Sequence, residues 1–258
     1  MSVRAGSLTA EVVEKVVLSD HLIRLRLAAP GFVSTGVPDE WVALTVPGQF
    51  QSRYYTVRSA IDGLVTLDVV IHAQGLVTQW AQTDCEGEQV TITEPKGSYT
   101  PPADAAWVVA VGDLTGLPAI ARICEVESRA VLAHVEAPPG TAAAYPDLHN
   151  PSVTWYADET PGAIAGESQI SRIVETISWP DGPGYFWMAG ESAQMREVRR
   201  WARREGRFDA KHMCAMGYWS GARGRQTRAL DPRPVYARGL AQGKSADQIW
   251  IDYDQEAP

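Results

Sequence analysis

The hydrophobic pattern of the chain changes after Pro101 and Pro102. Before these prolines, short apolar segments are separated by Pro-Gly, Asp-Gly and Glu-Gly turns, which is typical of antiparallel strands. After them, the segment WVVAVGD at 107–113 is almost continuously apolar, which is typical of a parallel strand buried on both faces. The sequence therefore predicts two domains, a small antiparallel barrel followed by an open α/β sheet.

The barrel domain is predicted over 1–102. Its strands are expected within Glu11–Leu27, where a turn at Asp20 divides the segment in two, and at Trp41–Val46, Arg53–Arg58, Leu64–Ile71 and Gln89–Thr93. One helix is predicted at Leu76–Thr83, with Trp80 on its apolar side.

The α/β domain is predicted over 103–222, where strands alternate with helices. Strands are expected at Trp107–Asp113, Ala130–Ala137, Ser152–Asp158 and Tyr185–Glu191, with Gly217–Trp219 at the end of the sheet. Helices are expected at 117–127 and, rich in arginine, at 192–205. Residues 223–258 are rich in Gly, Arg and Pro and are predicted to form an arm rather than a domain.

Composition excludes several classes of protein. The 258 residues carry a formal net charge of −8, which disfavours a nucleic-acid binder, and only three cysteines, without the spacing of a zinc site or a disulfide framework. No apolar run approaches the roughly 18 residues of a membrane span, and charged residues interrupt the start of the chain. We therefore expect a cytoplasmic protein with reduced thiols, no stable membrane insertion and no nucleic-acid partner.

Positive charge is concentrated towards the C-terminal end. Residues 190–258 contain 13 basic and 9 acidic groups, whereas 101–189 contain 3 basic and 11 acidic groups. Arg196, Arg199, Arg200 and Arg203 follow at helical spacing and are predicted to share one helix face. Such a face indicates either an anion-binding surface or an ordinary solvated helix.

The segment RYYTVR at 53–58 is the first candidate site. Strand alternation places Arg53, Tyr55 and Val57 on one face, and Tyr54, Thr56 and Arg58 on the other. An arginine beside an aromatic ring and a hydroxyl suits a ligand that has both a phosphate and a flat heteroaromatic ring. Tyr and Thr are also ordinary strand residues, so the segment alone leaves a purely structural role open.

Further motifs follow in a defined order. VVIHAQGLVTQWA at 69–81 joins a strand to a helix, whose N-terminus offers free N–H groups to a pyrophosphate. EPKGSY at 94–99, VGDLTGLPAI at 111–120, WMAGES at 187–192 and GYW at 217–219 come next. From about residue 10 to about residue 222, these motifs resemble the siderophore-interacting protein family, flavin-dependent ferric-siderophore reductases within the ferredoxin–NADP reductase-like superfamily.

The resemblance implies a six-stranded antiparallel FAD-binding barrel, an NAD(P)H-binding domain with an open parallel sheet, and FAD at their junction. It assigns the FAD phosphate to Arg53, the isoalloxazine ring to Tyr55, and the polar edge of the flavin to Thr56 and the Val57 backbone. In the second FAD segment, Val77 and Thr78 are expected to receive the pyrophosphate. The other residues that it places at the cofactors are Tyr54, His72, Gly75, Asp113, Thr115, Gly190, Glu191, Tyr218 and Trp219.

The implied chemistry follows from electron counting. NADPH or NADH gives two electrons as hydride, whereas Fe(III) accepts one, and a flavin couples the two. Reduction releases the iron because hard oxygen chelators hold Fe(II) less tightly than Fe(III). This chemistry strictly requires no catalytic side chain, and no permanent metal site is expected, because the iron arrives in the substrate. Arg199 is expected at the 2′-phosphate of NADPH, and Arg223 and Arg225 at the ferric siderophore.

Several alternatives remain open from the sequence. His72 is also typical of a strand end, and Tyr218 and Trp219 are typical of a core. The chain is expected to act as a monomer on a ferric siderophore. Two other functions compete with this one: a flavoprotein that passes electrons to a protein partner, and a siderophore-binding module without catalysis.

Overall fold

The structure is a computed structural model, and it describes residues 6–49, 51–72, 75–145, 148, 153–157, 168–220, 238–239 and 241–244. Most of the predicted arm at 223–258, with Arg223 and Arg225, lies outside the described residues. The described part of the chain contains no helix that is long and apolar enough to cross a membrane.

The N-terminal half forms a closed antiparallel barrel of six strands in the order β1-β2-β5-β4-β3-β6. The strands are β1 (Ser7–Ser19), β2 (Leu22–Ala28), β3 (Trp41–Thr45), β4 (Arg53–Ile61), β5 (Leu64–Val70) and β6 (Gln89–Thr93). One helix, α1 (Leu76–Gln82), joins β5 to β6. Alternate side chains fill the interior, among them Leu25, Leu44 and Leu67. The predicted six-stranded barrel is confirmed.

The C-terminal half forms a parallel sheet in the order β11-β10-β7-β8-β9. Its strands are β7 (Trp107–Asp113), β8 (Ala130–Ala137), β9 (Val153–Ala157), β10 (Gly184–Glu191) and β11 (Met213–Trp219). Its helices are α2 (Leu117–Val126), α3 (Thr141–Ala144), α4 (Ile170–Thr176) and α5 (Ser192–Glu205). Every residue of β7 and β10 is buried, as expected for central strands covered on both faces. The predicted open parallel sheet is also confirmed.

Two helices were not predicted, and three strands are several residues longer than predicted: β1, β4, which runs to Ile61, and β11, which begins at Met213. α3 and α4 have four and seven residues, too few for a clear helical period. β1 extends well beyond the predicted segment because it pairs with two neighbours in succession, β6 along Ser7–Glu11 and β2 along Glu11–Ser19. The barrel ends at Thr93 and the sheet starts at Trp107, and the exact domain boundaries stay a prediction.

Candidate functional site

Strand β4 presents different side chains to the barrel interior and to the α/β half. Tyr55 and Val57 pack against the barrel core, and burial raises the pKa of Tyr55 although the nearby Arg53 charge lowers it. On the other face, Thr56 and Arg58 are buried, whereas Tyr54 is 73% exposed. The predicted alternation is therefore present. The ring that reaches solvent from this strand belongs to Tyr54, and Tyr55 is the ring held against the barrel.

Arg53 has no carboxylate partner among the residues that the structure describes. Its guanidinium donates to the Ser52 carbonyl at 3.0 Å and lies near the Gln51 amide oxygen. By contrast, Arg24 and Arg58 form ion pairs with Asp68 and Glu125. A half-buried guanidinium that is bonded only to neutral oxygens keeps its charge available for an anion.

Two buried hydroxyls meet at the junction of the barrel and the sheet. Thr56 Oγ1, from β4, and Tyr218 Oη, from β11, are both shielded from solvent and lie near each other, but neither makes a hydrogen bond of normal geometry with the described residues. Burial raises the pKa of Tyr218, and the Thr56 hydroxyl lies close enough to counteract this shift. Buried polar atoms without partners are costly, so this pair fits the polar edge of a bound ligand.

The backbone of Val57 is already hydrogen-bonded within the chain. Its N–H donates to the Glu40 carbonyl at 2.9 Å, and its carbonyl accepts from Arg122 Nη1 at 2.7 Å. The Val57 N–H is therefore not free for a ligand. Of the two groups predicted at the flavin edge, the Thr56 hydroxyl is the one that makes no hydrogen bond of normal geometry in the described structure.

Gly75, the residue before α1, closely approaches the ring of His72. Gly75 has a φ of +150°, and a Cβ there would lie 2.6 Å from Cε1 of His72, so glycine is needed for this close approach. Thr78 is buried and donates to the Val70 carbonyl at 3.2 Å, and the Val77 side chain packs in the barrel core. The side chains of Val77 and Thr78 therefore anchor the helix. Contact with pyrophosphate through backbone N–H groups stays a prediction.

Asp113, at the carboxyl end of β7, is buried and accepts three hydrogen bonds. The donors are the Thr115 N–H at 2.8 Å, the Thr115 hydroxyl at 2.5 Å and Trp219 Nε1 at 2.6 Å. Burial raises the pKa of Asp113, although these hydrogen bonds oppose the shift. A Cβ on Gly190 would lie 2.6 Å from Asp113 Oδ2, so this glycine makes room for the carboxylate. Four predicted site residues, Asp113, Thr115, Gly190 and Trp219, thus lie together.

Glu191 caps the arginine-rich helix. Its Oε2 accepts from the N–H groups of Ala193 at 2.5 Å and Gln194 at 3.0 Å, while its buried Oε1 has no partner in the described part of the chain. Along α5, Arg196, Arg199, Arg200 and Arg203 are all exposed, as the spacing predicts. Arg199 donates to the Ala215 carbonyl of β11, which ties this helix face to the edge strand of the sheet.

Two acidic residues before β3 support the site, and sequence reasoning missed both. Asp39 is fully buried and accepts from the N–H groups of Ser98 and Tyr99, from the Ser98 hydroxyl and from Trp187 Nε1. Glu40 is also fully buried and pairs with Arg122 of α2. These partners lie far apart in the chain, so no local pattern predicts them. The signal that was available is an Asp-Glu pair before an apolar strand.

The cysteines and acidic groups give no sign of another redox or metal centre. Cys85, Cys124 and Cys214 are free, and burial raises the pKa of each thiol, that of Cys124 to about 11. Thiols of this kind react slowly. Within the described ranges, no group of three His, Cys, Asp or Glu side chains is placed to hold a metal ion.

Two curated relatives match most of the chain at low sequence identity. It is 25% identical over 195 residues to the NADPH-dependent ferric-chelate reductase of Escherichia coli K12, covering 73% of this chain and 74% of that one. It is 26% identical over 243 residues to the mycobactin import ATP-binding/permease protein IrtA of Mycobacterium tuberculosis, covering 87% of this chain. The chain spans only 27% of the length of IrtA.

Solved structures share the fold. A siderophore utilization protein from T. fusca superposes with a TM-score of 0.71 at 24% identity, covering 89% of this chain and 97% of that one. A ferredoxin NADP+ reductase from Neisseria gonorrhoeae, with bound FAD and NADP, gives 0.65 at 14% identity, covering 84% and 100%. The barrel and parallel sheet therefore form a ferredoxin–NADP reductase-like fold.

Two family models match successive parts of the chain. The siderophore-interacting FAD-binding domain matches residues 7–99, and the siderophore-interacting protein model matches residues 105–222. Together they take in the barrel, the sheet and every predicted site residue except Arg223 and Arg225. The chain belongs to the siderophore-interacting protein family.

Proposed function

We propose that this protein is a flavin-dependent ferric-siderophore reductase, which takes electrons from NADPH or NADH and releases iron as Fe(II). The observation that carries the proposal is the pair of buried hydroxyls, Thr56 and Tyr218, which make no hydrogen bond of normal geometry with the described residues and lie at the junction of a barrel that matches an FAD-binding domain. The name of the Escherichia coli relative, a ferric-chelate reductase, agrees with this reaction class.

The residues at the junction fit FAD. In this proposal Arg53, which has no described carboxylate partner, binds a phosphate, and the hydroxyls of Thr56 and Tyr218 hydrogen-bond the polar edge of the ring. Tyr54 and Tyr55 offer aromatic faces on the two sides of β4. When bound, FAD supplies an acceptor for hydride from a nicotinamide and a donor of single electrons to Fe(III).

The carboxyl ends of the parallel strands fit a nicotinamide dinucleotide. In open α/β sheets, ligands bind outside these ends, where Thr115 and Glu191 lie in this chain. In this proposal the basic face of α5, which includes Arg199, attracts the 2′-phosphate of NADPH. In this proposal the chain's residues bind and orient the reactants and exclude water, and none forms a covalent intermediate.

The substrate class and setting complete the proposal. The iron is cargo that enters and leaves with the siderophore, so no resident metal ligands are needed. Three free cysteines fit a reducing compartment, and we propose that the protein acts in the cytoplasm as a monomer.

Anaerobic reduction of a ferric siderophore tests the function. Purified protein is first checked for bound FAD by its absorbance, and then mixed with NADPH, a ferric siderophore and a ferrous trap such as ferrozine. We expect the coloured Fe(II) complex to form only when protein, FAD and NADPH are all present. A panel of catecholate, hydroxamate and mixed siderophores then identifies the substrate class.

Other outcomes would support the competing functions. If NADPH bleaches the flavin and no ferric siderophore reoxidises it, the electron acceptor is another molecule, such as a protein partner. If the protein binds siderophore but cannot be reconstituted with FAD, the chain is a binding module and the reductase proposal is wrong.

A further inference from the structure

Helix α2 of the sheet domain reaches across to strand β4 of the barrel. Arg122 lies on the face of α2 that packs against β4, and its side chain is only 11% exposed. Its Nη1 donates to the Val57 carbonyl at 2.7 Å and to Glu40 Oε1 at 3.0 Å. One guanidinium nitrogen therefore bridges a main-chain carbonyl of the barrel and a buried carboxylate.

Ser34 and Thr35 also hold Glu40 in place, independently of Arg122. Its carboxylate accepts from the Ser34 hydroxyl at 2.6 Å, the Thr35 hydroxyl at 2.6 Å and the Thr35 N–H at 2.7 Å. Its backbone carbonyl accepts the N–H of Val57 at 2.9 Å. Glu40 and Arg122 together therefore fix both hydrogen-bonding groups of Val57, the residue that follows Thr56.

A second ion pair from α2 adjoins the first. Glu125, one helical turn after Arg122, accepts from Arg58 at 2.5 and 3.0 Å. This pair already ties α2 to β4, so domain attachment alone does not explain why Arg122 also contacts the Val57 carbonyl. The additional contact acts on the backbone next to Thr56, whose buried hydroxyl makes no hydrogen bond of normal geometry in the described structure.

We propose, on the basis of the function proposed above, that Arg122 is a positioning residue for FAD. Arg122 holds the peptide between Val57 and Arg58, while the Glu40 carbonyl holds the peptide between Thr56 and Val57. By fixing the backbone on the C-terminal side of Thr56, Arg122 aims the Thr56 hydroxyl at the polar edge of the flavin. The guanidinium and the Glu40 carboxylate also bring opposite charges to the backbone that follows Thr56, and they influence the midpoint potential of the flavin with opposite signs.

The sign of each potential shift follows from charge. Reduced flavin carries more negative charge than oxidised flavin, so a nearby positive group favours reduction. Arg122→Met removes the positive group and leaves Glu40 uncompensated, so we expect a more negative midpoint potential. Glu40→Gln leaves Arg122 uncompensated, so we expect a more positive one. A purely structural role predicts no such opposition of signs.

The test compares four proteins: wild type, R122M, E40Q and the control R26M. Arg26 forms an exposed ion pair with Glu14 on the barrel, outside the site. FAD dissociation constants are measured by flavin fluorescence, midpoint potentials by dye equilibration, and folding by urea unfolding. We expect R122M to raise the dissociation constant by about tenfold or more, the loss typical of a charged hydrogen bond. R26M should match wild type.

A double-mutant cycle with Thr56 makes the positioning step specific. Thr56→Val alone should weaken FAD binding, and adding R122M to T56V should cost less than R122M costs in wild type. If the two losses add fully, Arg122 does not act through Thr56. R122K, which keeps the charge but has a shorter reach, should retain a potential near that of wild type while binding FAD more weakly, and it replaces R122M if that variant does not fold.

The outcomes separate this inference from the proposed function. If wild type binds FAD and reduces ferric siderophore but R122M and R122K bind FAD as tightly as wild type, the positioning role is wrong and the function stands. Potential shifts of the same sign in R122M and E40Q would overturn the electrostatic part. If wild type itself binds no FAD, the proposed function fails first.

Discussion

The junction between barrel and sheet and the outer face of α5 use arginine in opposite ways. At the junction, Arg24, Arg58 and Arg122 each pair with a carboxylate at 2.5–3.0 Å, and their side chains are mostly buried. On α5, the arginines are exposed, and the pair between Arg200 and Glu197 is loose at 3.9 Å. Buried pairs of this kind fix architecture, because either charge alone is costly, whereas exposed arginines are free to meet an anion.

The largest effect is expected from breaking a buried pair at the junction. The Asp68 side chain is fully buried, accepts two hydrogen bonds from Arg24 and one from the Tyr145 hydroxyl, and so ties the barrel to Tyr145, the residue that follows α3. Asp68→Ala should lower the free energy of unfolding by about 3–5 kcal/mol, because it leaves the Arg24 charge uncompensated.

The matched control breaks an exposed pair on the same barrel. Arg26 and Glu14 are 44% and 43% exposed, so Arg26→Ala should cost only about 0–1 kcal/mol in urea unfolding. Equal losses in the two variants would contradict the distinction between buried and exposed pairs.

Arg53 differs from the other barrel arginines in this comparison because it has no carboxylate partner among the described residues. Arg53→Ala should leave the free energy of unfolding within about 0.5 kcal/mol of wild type, since it breaks no ion pair with a described carboxylate. FAD binding should weaken by about 10- to 100-fold, the value of a charged hydrogen bond to phosphate. Fluorescence titration of R53A against R26A measures this difference, and unchanged FAD affinity would remove Arg53 from the site.

Trp219 gives an effect that depends on pH. Burial raises the pKa of Asp113 in the folded protein, so the carboxylate costs stability as the pH rises through that pKa. The Trp219 indole opposes this shift, and Trp219→Phe should raise the pKa further. We expect W219F to lose about 1–2 kcal/mol of unfolding free energy at pH 7 and less at pH 5.

Trp80 provides the control for this prediction. Its indole donates to Glu88 at 2.6 Å, away from the junction, and Glu88 is partly exposed. In urea unfolding, W80F should lose about the same unfolding free energy at pH 5 as at pH 7. A larger loss for W219F at pH 5 than at pH 7 would reverse the sign derived for Asp113.

The smallest effect is expected on the exposed face of α5. Arg199→Ala should lower kcat/KM for NADPH about two- to fivefold, with little change for NADH, because one exposed charge contributes about 0.5–1 kcal/mol. The control is Arg204→Ala. Arg204 lies on α5 beside Trp201, in the groove between α4 and α5. The difference should shrink at high salt, and equal use of both nucleotides by wild type would contradict a role for this face.

The sequence predicted the parts of the fold that depend on local pattern. The bounds of β6, β7, β8 and α5 agree residue for residue, because each is an apolar run or a helical period with clear ends. Short elements such as α4 were not predicted, since seven residues are too few to show a clear helical period of apolar side chains. The family resemblance brought Asp113, Thr115, Gly190 and Trp219 to one place, and the structure adds their hydrogen bonds.

The contacts that hold the site together were outside the reach of sequence reasoning. Glu40 and Arg122 are 82 residues apart, and Asp39 and Trp187 are 148 residues apart. The sequence around each of these residues contains no signal that predicts its partner. The contacts form only when the barrel and the sheet pack together. The binding roles of the site residues stay predictions until a cofactor complex is measured.

Single-turnover stoichiometry tests the central claim most directly. A limiting amount of NADPH is added anaerobically to FAD-loaded protein with excess ferric siderophore and a ferrous trap. Because NADPH carries two electrons and each Fe(III) accepts one, we predict about two Fe(II) trapped for each NADPH oxidised. Oxidation of NADPH without Fe(II), or Fe(II) formation that does not depend on the protein, would contradict the account.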